Sequence, residues 1–238
     1  MLFAKLAFVL SGMAVIPQGT YSPLYAVKSA ERMAVSRFAL DREPVTRGEF
    51  LQFVRRNPEW RRSAVERDRA DKGYLADWSS DLSAGDATDL ERPVTSISRN
   101  AALAFCEAKG KRLPTEGEWE YAAAASASKR DAVRDRGFIS RLLEHYTRRK
   151  STRVPVVGRS PANVYGVRDM HELVWEWTAD PHAEHAAHGN HMYCASSAIG
   201  AVDPSNYPAF MRYAVRSGLN DRTTLKTLGF RCAGSLPA

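Results

Sequence analysis

The stretch Asn163–Asp180, NVYGVRDMHELVWEWTAD, constrains the fold of this chain more than any other segment. Within it Trp175 and Trp177 alternate with Val174 and Glu176, the period of two that a β-strand with two different faces shows. The face with two indoles predicts burial, where each N–H group needs an acceptor. Glu176 would be costly to bury unpaired, so we expect a cation or hydrogen-bond donor beside it. The alternative is a tryptophan-rich core strand whose glutamate is solvated.

Length and charge narrow the class of protein. The 238 residues can bury a sizeable core, in one large domain or two small ones. An apolar share of 44% and a charged share of 26% are those of an ordinary soluble globular protein. The net charge of +7 is concentrated in residues 55–69 and 130–153, where acidic residues interrupt the basic ones. We interpret these as solvated faces and predict no nucleic-acid partner, because no binding motif accompanies them.

The N-terminus suggests export. Residues 1–12, MLFAKLAFVLSG, combine one lysine with a short apolar run, like an abbreviated signal peptide. A short leader there would place the protein in the periplasm or outside the cell. The positively charged part is thin and no A-x-A cleavage site follows, so a cytoplasmic location stays open. No later segment has the ~18 apolar residues of a membrane span, and no stable span is predicted.

Short elements separated by long loops are predicted along the chain. Residues 13–21 alternate loosely and break at Pro17 and Gly19, which predicts a strand followed by a turn, and residues 37–42 predict a second short strand. Residues 73–88, rich in Ser, Asp, Gly and Ala, are typical of a surface loop. Two capping boxes, a Thr followed three residues later by a Glu, predict helix N-termini at Thr46 and Thr115.

Two further helices complete the predicted architecture. Ser98 can cap a helix that ends at Gly110, and residues 128–150 predict a strongly charged helix. The pattern predicts an α+β fold with many short strands, few helices and long loops, in a single domain over residues 13–238.

Several segments together resemble one protein family. They are FALDREPVTRGEFLQFV, RPVTSISRNAALAFCEAKGKRLPTEGEWEYAA, NVYGVRDMHELVWEWTAD and LGFRCA. Their order is that of the formylglycine-generating enzymes, which modify sulfatases and have a C-type-lectin-like fold. The resemblance covers Met13 to Ala233, so it implies that fold for nearly the whole chain.

Within that family the chain is similar to the NirV-type proteins, which are encoded beside copper nitrite reductases. The shared features are LVWEW, a basic helix after WEYAA, and an ending like YPAFMRYAVRS followed by LGFRCA. This likeness implies a periplasmic setting and a role as a maturation or binding factor linked to copper nitrite reductase and denitrification. The partner would be a protein, such as a copper enzyme, or a peptide.

The resemblance also implies a calcium site. The family's second calcium site maps onto the side chains of Asp169 and Glu176 and the carbonyls of Glu172 and Val174. Hard oxygen ligands of this kind suit Ca²⁺. Glu172 stands where the family usually has glycine, and the ligands of the family's first calcium site are not found in this sequence.

The three cysteines divide into two roles under this resemblance. Cys106 and Cys232 match the family's structural disulfide. Cys194 lies where the active enzymes have the first cysteine of a redox-active pair that binds copper and activates oxygen, and Ile199 occupies the second position. With one thiolate the usual two-sulfur copper site cannot form, so the formylglycine-generating activity is not carried over.

Three other positions match the wall of the family's pocket: Trp175, Arg216 and Ser217. We expect Cys194 to be unpaired and to line this pocket with Trp175 and Arg216. Trp175, Arg216, Ser217 and Cys194 are therefore the candidate catalytic residues if any reaction survives.

A regular histidine run precedes the third cysteine. His182, His185, His188, His191 and Cys194 follow one another at intervals of three. Imidazole groups with a soft thiolate suit copper or zinc. We predict that His188 or His191 reaches Cys194 for two-ligand binding of Cu(I). The alternative is a solvated histidine-rich loop that binds metal only adventitiously.

Three functions remain open at this point. The first is a binding or maturation factor that holds copper or a partner protein during assembly of a copper enzyme. The second is a copper-dependent oxidoreductase that acts on a peptidyl cysteine or related thiol with O₂. The third is a lectin-like ligand-binding domain without catalysis. The broken cysteine pair favours the first over the second.

Overall fold

The computed structural model describes residues 12–24, 32–147, 153–180 and 206–236. The strands in these ranges are β1 (Met13–Ile16), β2 (Gly19–Tyr21), β3 (Met33–Val35), β4 (Phe38–Asp41), β5 (Trp175–Glu176), β6 (Leu228–Gly229) and β7 (Ala233–Ser235). The α-helices are α1 (Arg47–Arg56), α2 (Ala87–Leu90), α3 (Arg99–Ala108), α4 (Glu116–Ala123), α5 (Arg136–Thr147) and α6 (Tyr207–Ser217). A 3₁₀ turn spans Pro58–Trp60.

The strands form three small sheets. β1, β4 and β7 make an antiparallel sheet with β4 in the centre, β2 and β3 form an antiparallel pair, and β5 pairs in parallel with β6. The strand predicted at the start of 13–21 is β1, which ends before Pro17 because proline lacks the N–H group that a ladder needs. A second strand, β2, begins at Gly19, where only a turn was predicted. The predicted strand over 37–42 is confirmed as β4.

Both predicted capping boxes are formed. At α1 the Thr46 hydroxyl accepts from the Glu49 amide, and the Glu49 carboxylate accepts from the Thr46 amide. Thr115 and Glu118 make the same exchange at α4, and Ser98 caps α3. Each cap satisfies amides that an isolated helix end would leave unpaired, so these helices begin where local sequence dictates.

The charged segment behaves differently from the prediction. The helix predicted over 128–150 begins only at Arg136, because Ser126 and Asp131 accept hydrogen bonds from nearby backbone amides and hold the preceding residues in turns. α5 packs against α6, and Leu142 is its buried residue.

The core consists of two apolar clusters. The larger is centred on Phe50, Phe105 and Phe230, and also contains the loop residues Tyr74 and Trp78, both 2% exposed. The smaller packs β1 and β4 against α4. β5 lies against both, since Trp175 packs against the first cluster and Glu176 accepts from Trp119 of the second.

The predicted disulfide is confirmed. Cys106 on α3 and Cys232 just before β7 are bonded, with their Cα atoms 5.7 Å apart and a sequence separation of 126 residues. The bond ties the last strand to a helix in the first half of the chain. None of the helices in the described residues is long and apolar enough to cross a membrane.

Candidate functional site

Glu176 is buried and paired. Its carboxylate accepts from Arg231 Nε and Nη2, both at 2.8 Å, and from Trp119 Nε1 at 2.7 Å. Both ion-pair side chains have no exposed surface. Arg231 also donates to the carbonyls of Asp41, Arg42 and Arg168, which satisfies the rest of its guanidinium. The expected partner of Glu176 is therefore an arginine and an indole, and the solvated alternative is wrong.

The two indoles of this strand have different surroundings. Trp177 is 1% exposed and donates to the carbonyl of Ile97 at 2.8 Å, as a buried indole requires. Trp175 is partly buried and lies at a cavity instead.

The predicted calcium ligands do not form a cation site in this arrangement. Arg231 brings a positive charge onto the Glu176 carboxylate, where a cation would have to bind. The Asp169 carboxylate accepts from the backbone amides of Gly158 and Ser160. Asp169 itself has a φ of 59°, stabilised because its amide donates to the Ser160 hydroxyl at 2.7 Å. Both side chains serve the fold, so the donor set does not fit Ca²⁺.

Glu172 and Val174 were assigned to the same site through their carbonyls. The Glu172 side chain is exposed, and the pKa of its carboxyl is raised by partial burial and by the nearby Asp169. No group of three or more His, Cys, Asp or Glu side chains in the described ranges could hold a metal ion.

A cluster of ions, two buried arginines and two partly buried glutamates, joins α4 to α6. Glu120 accepts from Arg212 through Nε at 2.8 Å and Nη2 at 2.6 Å, and from Arg216 Nη1 at 2.6 Å. Arg216 also lies 3.4 Å from Glu116. Burial alone would raise the pKa of Glu120, but the two guanidinium groups outweigh it and lower the pKa to about 2. Two carboxylates thus match two guanidinium groups, and the cluster carries no net charge.

The ring of Trp119 lies beneath both arginines. The guanidinium carbons of Arg216 and Arg212 are 4.9 Å and 5.6 Å from its centroid, within cation–π range. The buried face of α6 therefore consists of arginines that stack on an indole and bind a carboxylate. Its other buried residues, Pro208 and Ala209, lie in the first turn.

These residues enclose a small cavity, here called the Trp175 cavity. Its volume is about 10 Å³, which is room for about one water molecule. Its polar and aromatic lining comes from Trp119, Tyr146, His171, Trp175, Arg212 and Arg216.

His171 makes two hydrogen bonds beside the cavity, one to Tyr146 and one to Ala123. The Tyr146 hydroxyl lies 3.0 Å from His171 Nδ1, and His171 Nε2 lies 2.9 Å from the carbonyl oxygen of Ala123. Burial, together with the positive charge of Arg212, lowers the pKa of His171 to about 3. The Tyr146 ring is 5.1 Å from that of Trp175. At neutral pH this histidine is therefore uncharged.

Of the three candidate pocket residues that the structure describes, two line the cavity and one does not. Trp175 and Arg216 both line the cavity. Ser217 does not line it; this serine is exposed at the end of α6, and its hydroxyl donates to the carbonyl of Ala214 at 3.0 Å. Cys194, His188 and His191 lie outside the described residues, so their predicted roles stay predictions.

Sequence reasoning missed four residues of this site: Glu120, Tyr146, His171 and Arg212. A signal was available for two of them. Arg212 and Arg216, like Glu116 and Glu120, are four residues apart, which puts each pair on one helix face. Nothing in the local sequence indicates that the two faces meet.

Comparison with known proteins agrees with this architecture. Residues 4–236 match the family model described as the sulfatase-modifying factor enzyme 1-like domain. The inactive C-alpha-formylglycine-generating enzyme 2 of Bos taurus is 30% identical over 84% of this chain and 78% of its own length. The formylglycine-generating enzyme of the same organism is 29% identical over 62% of this chain and 46% of its own length.

A solved structure supports the fold. PvdO from Pseudomonas aeruginosa superimposes with a TM-score of 0.50 at 18% identity, over 94% of both chains. That likeness concerns the fold alone. With a family match over nearly its whole length, the chain belongs to the sulfatase-modifying factor enzyme 1-like (formylglycine-generating enzyme-like) domain family.

Proposed function

We propose that this protein is a member of the family that does not make formylglycine and instead binds a partner protein or peptide at the Trp175 cavity. One observation carries the proposal. The chain has three cysteines, and two of them, Cys106 and Cys232, are joined in a disulfide. Only Cys194 remains, so one chain cannot supply the two thiolates that the active enzymes are expected to use. A relative whose name calls it inactive is consistent with such a branch.

The cavity favours a protein partner over a small molecule. Pockets that bind drug-sized ligands have about 300–1,000 Å³, whereas the volume between the described residues is about 10 Å³. A site of this size accepts the end of one side chain. The surrounding surface would then supply most of the binding energy.

The finer proposal is a maturation or binding factor for copper nitrite reductase in denitrification, on the C-type-lectin-like architecture. Its support is the NirV-type likeness of LVWEW and the α6 segment. A periplasmic or secreted location is supported by the disulfide, since disulfides persist in oxidising compartments, and by the leader-like residues 1–12.

The first experiment tests the absence of formylglycine formation. The purified protein is incubated with a sulfatase-derived cysteine peptide, Cu(I), O₂ and a reductant, beside an active formylglycine-generating enzyme as positive control. Mass spectrometry should show the aldehyde product in the control alone. Aldehyde formed by this protein would refute the proposal.

The second experiment tests the partner. Calorimetric titration with metal-free copper nitrite reductase should give saturable binding that Trp175→Ala weakens. Leu82→Ala is the matched control, because Leu82 is 41% exposed and does not line the cavity. Absence of binding, or equal affinity in both variants, would contradict the proposed partner and site.

A second candidate function is oxygen chemistry on a thiol with copper at Cys194. The regular spacing of His182, His185, His188, His191 and Cys194 favours it. Copper(I) affinity is measured in competition with a chromophoric chelator for the parent and Cys194→Ala. Weaker binding in the variant supports a copper site at Cys194, and equal binding removes this cysteine from consideration.

A further inference from the structure

Tyr146 reaches the Trp175 cavity from α5. Its ring contacts Trp175, and its hydroxyl lies between His171 Nδ1 at 3.0 Å and Arg212 Nη1 at 3.4 Å. All four side chains line the same cavity. The hydrogen-bonding capacity that these contacts leave on the Tyr146 hydroxyl decides which ligand group it can bind.

The direction of this hydrogen-bond chain follows from its far end. The carbonyl oxygen of Ala123 can only accept, so His171 carries a hydrogen on Nε2. A second hydrogen on Nδ1 would place a buried positive charge next to Arg212, which contacts the same tyrosine oxygen, and this is costly. His171 Nδ1 is then an acceptor, and the Tyr146 hydroxyl must donate to it. Arg212 Nη1 donates to the Tyr146 oxygen through the longer contact. The hydrogen bonds therefore run, donor to acceptor, from Arg212 through Tyr146 and His171 to the Ala123 carbonyl.

This direction fixes what the cavity offers. The only hydrogen of the Tyr146 hydroxyl is committed to His171, so Tyr146 can present an oxygen acceptor and not a donor. The two arginines at the cavity suggest at first an anion site. Their charges, however, are matched by Glu120 and Glu116 at 2.6 Å and 3.4 Å from Arg216. A further anion would add an unpaired negative charge to a buried neutral cluster, which is costly.

We propose that Tyr146 is the specificity-determining residue of the Trp175 cavity and that it selects a neutral group with an S–H, N–H or O–H donor over an anion. This inference deepens the proposed function and rests on it in one respect, that the ligand is the end of a partner's side chain. A cysteine thiol or a side-chain amide would satisfy the acceptor. A carboxylate, sulfate or phosphate would not.

The probes for the test are ethanethiol and dimethyl sulfide, isomers that differ in the S–H donor. Binding is followed by NMR through the indole N–H signal of Trp175, assigned with Trp175→Phe. We expect ethanethiol to bind roughly twofold to fivefold more tightly than dimethyl sulfide, the effect of one weak S–H hydrogen bond. Sodium acetate and sodium sulfate should give no saturable shift.

Two variants distinguish the loss of the Tyr146 hydroxyl from the loss of a tyrosine hydroxyl elsewhere. Tyr146→Phe should bind the two isomers equally, while Tyr207→Phe, at a tyrosine that is 55% exposed and outside the cavity lining, should keep the preference. Equal binding of the isomers by the parent protein, no saturable binding of either, or saturable binding of acetate or sulfate would each overturn the proposal.

A measurement on the parent protein alone checks the direction of the hydrogen bonds from Arg212 to the Ala123 carbonyl. Nitrogen-15 spectra should show His171 protonated on Nε2 and with an unprotonated Nδ1, and the opposite tautomer would overturn the proposal even if Tyr146→Phe failed to fold. Formation of aldehyde in the peptide assay would refute the proposed function but leave the isomer preference intact, so the two failures are distinguishable.

Discussion

At the scale of single residues, the buried pair of Glu176 and Arg231 dominates the centre of the molecule. Glu176→Gln keeps an acceptor for Trp119 but leaves Arg231 charged, buried and without its counter-ion. Removing one partner of such a pair costs about 3–5 kcal/mol, and we expect that loss in the free energy of unfolding measured in urea.

Two comparisons make this prediction specific. Glu66→Gln breaks a pair with Arg69 whose side chains are 67% and 45% exposed, and such surface pairs contribute about 0–1 kcal/mol. The double variant Glu176→Gln/Arg231→Met should recover part of the loss, because it removes the stranded charge as well. Equal losses in the two Glu→Gln variants would show that the pair does not stabilise the fold.

His171 should make the free energy of unfolding depend on pH. Its folded-state pKa of about 3 lies below the ordinary 6.5 because the ring is buried, with Arg212 nearby. As the pH falls below 6.5 the unfolded chain takes up this proton first, so stability decreases until the folded state also binds it near pH 3. The slope is at most about 1.4 kcal/mol per pH unit.

The matching measurement compares unfolding free energies between pH 7 and 5 for the parent and His171→Gln. The variant should have the shallower profile, since the other histidines are common to both proteins. Parallel profiles would mean that His171 is not held neutral by its surroundings.

At the scale of elements, α4 connects the local sequence to the site. It begins at the Thr115 capping box and carries Glu116, Trp119 and Glu120 to α6. Thr115→Ala removes the acceptor of the Glu118 amide and should cost about 1 kcal/mol. Thr115→Ser keeps the hydroxyl and should unfold close to the parent in urea. If the serine variant lost as much as the alanine variant, the cap would not be the cause.

At the scale of the whole molecule, the disulfide between Cys106 and Cys232 joins residues 126 positions apart. Cys106→Ala/Cys232→Ala should lower the free energy of unfolding by on the order of 4 kcal/mol, because the unfolded chain regains the freedom that the crosslink removes. Reductant should destabilise the parent and leave the variant unchanged. A thiol assay on the unfolded, unreduced parent should find one reactive cysteine, and three would refute the crosslink.

The sequence alone determined the features that depend on nearby residues. Thr46 and Thr115 each meet a glutamate three positions away, so their helix starts could be predicted. The alternation around Trp175 and Glu176 identified a strand whose glutamate needs a partner. The disulfide came from motif resemblance, which supplies long-range information that periodicity lacks.

Only the tertiary structure decided which charges meet. Glu176 pairs with Arg231, 55 residues later, and Glu120 with Arg212, 92 residues later. A motif that indicates two carboxylates is compatible with calcium, and only the folded chain shows that Arg231 pairs with Glu176. Tyr146 acquired its role in the same way, because α5 places its hydroxyl against His171. Local sequence fixes backbone conformation through bonds a few residues apart, whereas a buried charge is neutralised by whatever group the folded chain brings within about 3 Å.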